Sequence, residues 1–384
     1  MSLHIGIISP EYPHPKVNTS FAGIGTANKN LIDGLIDEGY KVSLFLYSQN
    51  STFSIEEGNL RVYSIKKRKF KFFSFFLCRI YLNKYINNII IKENIDIIEA
   101  ADWTGITAFM RFRVPLVVRL HGSDTFFCNL EKRKQKFKNY IFEKLALINS
   151  DAIIGVSNYV LKKSFELFNL NKPSIVIPNG LFIDSFKNEK NTKFSYGSIL
   201  YYGSIIRKKG VLDLALIFNE VVKINPNAIL TIVGRDVVDN KTEISTLKLF
   251  KEKLSNEASI NFIYGGIVPY KKISKYILNS QVCVFPSLAE SFGMVSIEAM
   301  LLNKAIVNTN YPWAKEIIIN ESIGLTADPK NHLDYANKIN KLLENPSLCL
   351  EMGMKANKHI VDNYNMSLLT KLNINFYKKT INEF

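Results

Sequence analysis

Glu290 and Glu298 bracket the segment SFGMVSI, just after VCVFPS, an apolar run stopped by Pro286 and Ser287. Proline cannot donate to a ladder, so the run reads as a buried strand that ends there. Beyond Gly293, the apolar residues Val295, Ile297, Met300 and Leu301 fall at helical spacing. The element is strand, polar loop, helix. Its first amides, at Gly293, Met294 and Val295, lack partners within the helix and would favour a phosphate. An anion-binding helix start flanked by acids suits a ligand with both phosphate and hydroxyls, such as a nucleotide sugar. The plainer alternative makes Glu290 a loop residue and Glu298 a solvated helix residue.

Other stretches also carry chemistry. His121-Gly122-Ser123-Asp124 follows the strand-like PLVVRL, and ligands of doubly wound sheets lie beyond the carboxyl ends of strands. His121 is a site residue or a structural one. Asp124 orients it or caps the next segment. Between Gly203 and Gly210 stand three consecutive cations, Arg207, Lys208 and Lys209, which repel unless an anion neutralises them or water screens them. Gly23 and Gly25 sit where a helix begins and would allow close approach of a phosphate. Asp236 and Asp239 flank two valines and do not form a metal-binding aspartate pair.

The frame E-SFGMVSI-E-A after FPS resembles the signature of the GT4-type retaining glycosyltransferases, which have the GT-B fold. The Gly-rich loop, HGxD, IPNG, the turn ending in Lys209-Gly210 and the two-Glu element occur in the family's order. The resemblance implies an α/β chain of two Rossmann-like doubly wound domains facing across a cleft. It implies transfer from a UDP- or GDP-linked sugar, with no metal and no further cofactor, to a saccharide acceptor. It makes His121, Lys209 and Glu290 catalytic. Glu298 would hold ribose hydroxyls and Glu290 the donor sugar. Gly23, Gly25, Ser291, Phe292, Gly293, Met294 and Val295 would contact the donor, with Gly234, Arg235 and Ile267 near its base. Asp102 and Asp124 would face the acceptor. The family's first loop glycine is Ala22 here. The Arg expected after Gly203 is Ser204, and Arg207 is expected to stand in for it.

The elements that must position these residues alternate along the chain. Leu3–Ser9, Val42–Tyr47, Ile95–Glu99, Pro115–Leu120, Ala152–Val156 and Ser174–Ile177 read as strands of a first domain over 1–180. Asp184–Tyr196 reads as a linker. Ile199–Tyr202, Ile229–Val233, Ile260–Tyr264, Val282–Phe285 and Ala305–Thr309 read as strands of a second domain over 181–365. The last helix, Met366–Phe384, resembles the family's terminal helix, which returns to the first domain.

At 384 residues and 47% apolar composition, each half can bury a core. The four cysteines lack disulfide or metal spacing. The opening residues read as a strand and not as a signal peptide, and no run is apolar enough to span a membrane. A cytoplasmic protein, peripheral on the inner face of the membrane, is expected. The net charge of +15 calls for an acidic partner. Between Arg61 and Lys92 stand Lys66, Lys67, Arg68, Lys69, Lys71, Arg79 and Lys84, with no acid, beside Phe70, Phe72, Phe73, Phe75 and Phe76. That run reads as an interfacial segment on anionic lipid, and the acceptor is then expected to be lipid-linked. The alternatives are a basic nucleic-acid-binding protein and a non-catalytic saccharide-binding protein. No RRM, KH or zinc pattern supports the first, so no nucleic-acid partner is expected.

Overall fold

Runs of β-branched residues build two parallel sheets. The computed structural model describes residues 3–17, 23–186 and 194–384. Ala22 and residues 187–193 of the expected linker lie outside the described residues. The chain divides into two compact units, Met1–Phe182 with Met366–Phe384, and Ile183–Asn365.

In the first unit the strands are β1 (His4–Ser9), β2 (Lys41–Gln49), β3 (Phe53–Glu57), β4 (Leu60–Lys66), β5 (Ile97–Ala101), β6 (Leu116–Leu120), β7 (Ala152–Gly155) and β8 (Ser174–Val176). Their order is β3-β4-β2-β1-β5-β6-β7-β8, with only the β3–β4 pair antiparallel. Strands buried on both faces read as unbroken apolar runs, which is why β1, β5, β6 and β7 were visible in the sequence. The helix Gly23–Asp37 packs Leu31, Ile32 and Leu35 into the core around Ile5, Ile7 and Leu44. Each such side chain contributes roughly 1.5–3 kcal/mol.

The C-terminal helix Met366–Glu383 belongs to this unit, and its fastening is polar as well as apolar. Arg119 of β6 donates to both oxygens of Glu99 on β5 at 2.8 Å and to Asn373 Oδ1. Tyr377 donates its hydroxyl to Glu99 Oε2. All four residues are buried. Losing one partner would strand a charge in the core, a cost of about 3–5 kcal/mol.

The second unit holds β9 (Ser198–Tyr202), β10 (Ile229–Val233), β11 (Phe262–Gly266), β12 (Val282–Phe285), β13 (Ala305–Thr309) and β14 (Leu325–Ala327). The all-parallel order β11-β10-β9-β12-β13-β14 reverses direction between β9 and β12. That is the switch point where ligands of doubly wound sheets bind. Both stretches read as phosphate-binding in the sequence, the turn after β9 and the loop after β12, start there.

The expected interfacial run over 61–92 needs correction at its start. Leu60–Lys66 is strand β4, with Val62, Tyr63, Ser64 and Ile65 buried, and Arg61 is paired with Glu56 and Glu93. Arg79 is also buried, its guanidinium donating to the carbonyls of Phe75, Thr104 and Gly105. The exposed basic and aromatic part begins at Lys66 and runs into the helix Ser74–Glu93, which buries Leu82, Ile86 and Ile90.

Candidate active site

In the second unit, the helix Met294–Leu301 starts at Gly293, which adopts φ 99°. This left-handed conformation suits glycine and points the first-turn amides of Met294 and Val295 outward. The turn after β9 is locked to the loop after β12 by backbone. Leu288 N–H donates to Lys208 O at 2.8 Å, and a Cβ on Gly210 would lie 1.7 Å from Pro286 O. Only glycine permits that approach, and it brings Lys209 to Glu290.

Lys209 Nζ donates to Glu290 Oε1, which also accepts from Ser287 Oγ at 3.2 Å. Both partners are mostly buried, so the pair is poorly screened. Glu298 is 6% exposed, and burial lifts its carboxyl to about 7. The Tyr270 hydroxyl donates to its Oε1 at 2.9 Å and acts against that rise. Tyr202 donates to Val295 O at 2.6 Å and steadies the first turn of the helix. Phe292 is buried against Tyr364, which anchors the loop.

Arg207 does not stand free beside Ser204. Its guanidinium makes a two-pronged pair with buried Asp239, at 2.7 and 2.8 Å, and that pairing holds the Asp239 carboxyl well below its ordinary value. Asp239 also accepts from Thr242. Ser204 contributes its carbonyl to the Tyr201 hydroxyl at 2.9 Å. A Cβ on Gly234 would lie 1.8 Å from Gly203 O, so the two strand-end turns touch through backbone. Arg235 and Ile267 are exposed beside them, Ile267 at 71%.

In the first unit, His121 is buried and its Nε2 has no partner. Burial, and then the charge of Arg119, push the imidazole down to about 3. It is therefore neutral at ordinary pH. Asp102 accepts from the amides of His121 at 3.0 Å and Gly122 at 3.2 Å. Burial still raises the Asp102 carboxyl to about 8, against the opposing effect of those amides. At 1% exposure, Asp102 shapes the His121 loop through those two amides.

Asp124 is also engaged. Its carboxylate accepts from Arg133 at 2.6 Å and Asn139 at 2.9 Å. It opens the helix Asp124–Leu130, whose cap is Ser123. Gly25 N–H donates to Glu11 Oε1 at 2.8 Å, so a carboxylate holds this amide at the helix start. Gly23 is exposed, with open space where a side chain would stand.

The family model described as glycosyl transferases group 1 matches residues 182–359, and that described as glycosyltransferase family 4 matches residues 21–184. The chain belongs to the group 1 (GT4-type) glycosyltransferases. It is 27% identical over 354 residues to an uncharacterized glycosyltransferase of Methanocaldococcus jannaschii, covering 90% of this chain and 91% of that one. It is 27% identical to the capsular polysaccharide biosynthesis glycosyltransferase CapM of Staphylococcus aureus, over 61% of this chain and 63% of CapM. Among solved structures, sucrose-phosphate synthase of Thermosynechococcus elongatus superposes with a TM-score of 0.79 at 18% identity over 100% of both chains. Anabaena HepE in complex with UDP and glucose superposes with a TM-score of 0.72 at 15% identity, over 97% of this chain and 99% of HepE. These likenesses establish the GT-B fold.

Four residues that hold candidate groups, two in each unit, escaped the sequence reading. Tyr270 and Tyr202 bond to the Glu298 helix, Glu11 bonds to Gly25, and buried Glu143 accepts from the amides of Asp124 and Thr125 at 2.9 and 3.0 Å. Only Glu143 left a trace. It is a lone acid on the inward face of FKNYIFEKLALI, where an uncompensated charge is costly.

Proposed function

We propose that this glycosyltransferase moves a sugar, with retention of configuration, from a nucleoside-diphosphate sugar to a hydroxyl of a lipid-linked saccharide in surface-polysaccharide synthesis. The observation that carries the reading is the element after β12: Glu290 tied to Lys209, the helix start at Gly293, and buried Glu298 one helical turn beyond it. The carbohydrate roles in the printed names of CapM and HepE agree with it.

The chemistry follows from charge. As the bond from the anomeric carbon to the diphosphate breaks, negative charge grows on the leaving group while the sugar becomes cationic. Lys209 and the amides of Gly293, Met294 and Val295 stabilise that negative charge, which makes a metal unnecessary. Ribose hydroxyls donate to Glu298, and Glu290 accepts from the sugar once Lys209 turns to the diphosphate. Exposed Ile267 and Arg235 offer an apolar face and a cation to the base. His121 serves the transfer step as a neutral imidazole. Arg207 stays on Asp239 and acts through the shape of the turn. The acceptor is met at the inner face of the membrane.

A thermal-shift screen of nucleoside diphosphates and nucleotide sugars tests the reading, because a ligand at a hundred times its Kd stabilises by about 2.7 kcal/mol. A rise in melting temperature with UDP or GDP and their sugars is expected. No shift with any of them overturns it.

A further inference from the structure

The sequence presents one basic, aromatic segment, and the fold joins a second to it. In residues 131–138, Lys132, Arg133, Lys134, Lys136, Phe137 and Lys138 are all exposed, Phe137 at 77%. Lys138 Nζ stands over the Phe75 ring, 2.7 Å from its centroid, and Phe109 bridges Phe76 and Phe142 edge-to-face at 5.3 and 5.6 Å. Phe72, Phe73 and Phe75 are 70%, 83% and 60% exposed beside Lys66, Lys67, Arg68, Lys69 and Lys71. Phe73 adopts φ 49°, a left-handed conformation that strains a bulky residue, and no buried ring offsets that cost.

We infer that residues 66–76 and 131–138, with Phe109 between them, form one docking surface for an anionic lipid bilayer. The inference sharpens the membrane partner of the proposed function and rests on that reading only for the lipid-borne acceptor. Charge decides the occupant: ten cations lie in the two segments, and Glu131, the only acid, pairs with Arg133 at 3.5 Å. Phenylalanine decides it further. These rings carry no polar group for a hydrated protein partner, and paired rings at a helix start suit the acyl boundary beneath anionic headgroups.

The surface is fastened to the His121 loop. Arg133 and Asn139 hold the Asp124 carboxylate, and Glu143, on the helix that begins with Phe137, holds the amides of Asp124 and Thr125. Docking therefore brings the loop of His121 close to the headgroup plane, where a lipid-borne acceptor presents its sugar.

Co-sedimentation of the full chain with vesicles tests this, comparing phosphatidylglycerol mixed into phosphatidylcholine with phosphatidylcholine alone, at low and high salt. Binding is expected only to the anionic vesicles and is expected to weaken with salt. Phe72→Ser with Phe73→Ser, and separately Lys134→Ser with Phe137→Ser, should each lower partitioning by about tenfold. All four positions are exposed, so melting temperature and the nucleotide thermal shift should stay at the parent's values. Parent-like partitioning of the Lys134/Phe137 variant would overturn the joint surface. So would retention of single-stranded RNA at physiological salt with no vesicle binding. Vesicle binding without any nucleotide thermal shift would uphold the surface while defeating the proposed reaction.

Discussion

Asp102 and Glu298 are both buried carboxyls, lifted by burial to about 8 and about 7, yet different donors hold them. Asp102 bonds to the amides of His121 and Gly122, as Glu143 does to those of Asp124 and Thr125 and Glu11 to that of Gly25. Glu298 bonds to the Tyr270 hydroxyl, and Glu290 to the Lys209 ammonium. An amide leaves its partner only if the chain moves, whereas a phenol or an ammonium leaves by rotating a side chain. Asp102, Glu143 and Glu11 of the first unit therefore fix loop shape. Glu290 and Glu298 of the second hold side-chain partners that can turn away.

The sharpest way to break this contrast is Lys209→Ala. Loss of a preorganised cation should lower kcat by about 100- to 1,000-fold in a sugar-transfer assay, with a smaller effect on stability than changes at Asp102. A kcat within threefold of the parent would mean that Lys209 does not meet the diphosphate. Asp102→Ala should act mainly on folding. Two buried amides lose their acceptor, and denaturant unfolding should show a loss of about 3 kcal/mol, with UDP or GDP affinity unchanged. A loss below about 1 kcal/mol would show that the loop is held by other means.

His121→Ala belongs to the same loop but should separate from Asp102→Ala. Turnover should drop by about tenfold or more, with nucleotide affinity intact. Because its imidazole sits near 3, wild-type kcat should show no His121 limb between pH 5 and 8. Normal turnover of the alanine variant would make His121 structural.

Glu298 gives a pH test. Folded, its carboxyl keeps a proton up to about 7, against an ordinary 4.5. The stability it contributes is thus full below about 4.5 and lost as pH rises through about 7. Nucleotide binding should run the opposite way, since ribose hydroxyls donate to the ionised form. Calorimetric affinity for UDP or GDP should gain up to about tenfold per pH unit below 7 and level off above it. Glu298→Gln should remove this component, and identical profiles for the two proteins would rule out the ribose contact. The smallest effect is expected for Ser204→Arg, because the Ser204 carbonyl and not its side chain accepts from Tyr201. Failure of that variant to bind nucleotide would show a turn unlike that of its relatives.

Legibility in the sequence followed burial and chain distance. Ile229–Val233 and Ala305–Thr309 were read with the observed bounds and Val282–Phe285 with the observed end, because each is a β-branched, largely apolar run stopped by glycine, proline or polar residues. The β3–β4 hairpin was missed. Its first strand, FSIEE, is mostly exposed and polar, and the charges of the second were taken for a surface segment. Lys209 and Glu290 were legible as residues but not as a pair, since their meeting depends on Gly210 lying against Pro286. The pairing of Arg207 was not legible, because Asp239 lies 32 residues away at the end of another strand's loop. Tyr270 reaches Glu298 across 28 residues, and the basic run at 131–138 meets Phe75 only through the fold.

The polar clasp of Glu99, Arg119, Asn373 and Tyr377 also sets an order of events at the ribosome. All of Ile183–Asn365 emerges before Met366–Glu383, so the second unit has its whole sequence while the first still lacks the helix that completes its core. Until then Arg119 and Glu99 have only each other, and the apolar face that will meet Leu369, Ile374 and Tyr377 stays open to other nascent chains. A chain cut just before Met366 should lose the unit made first and keep the one made second.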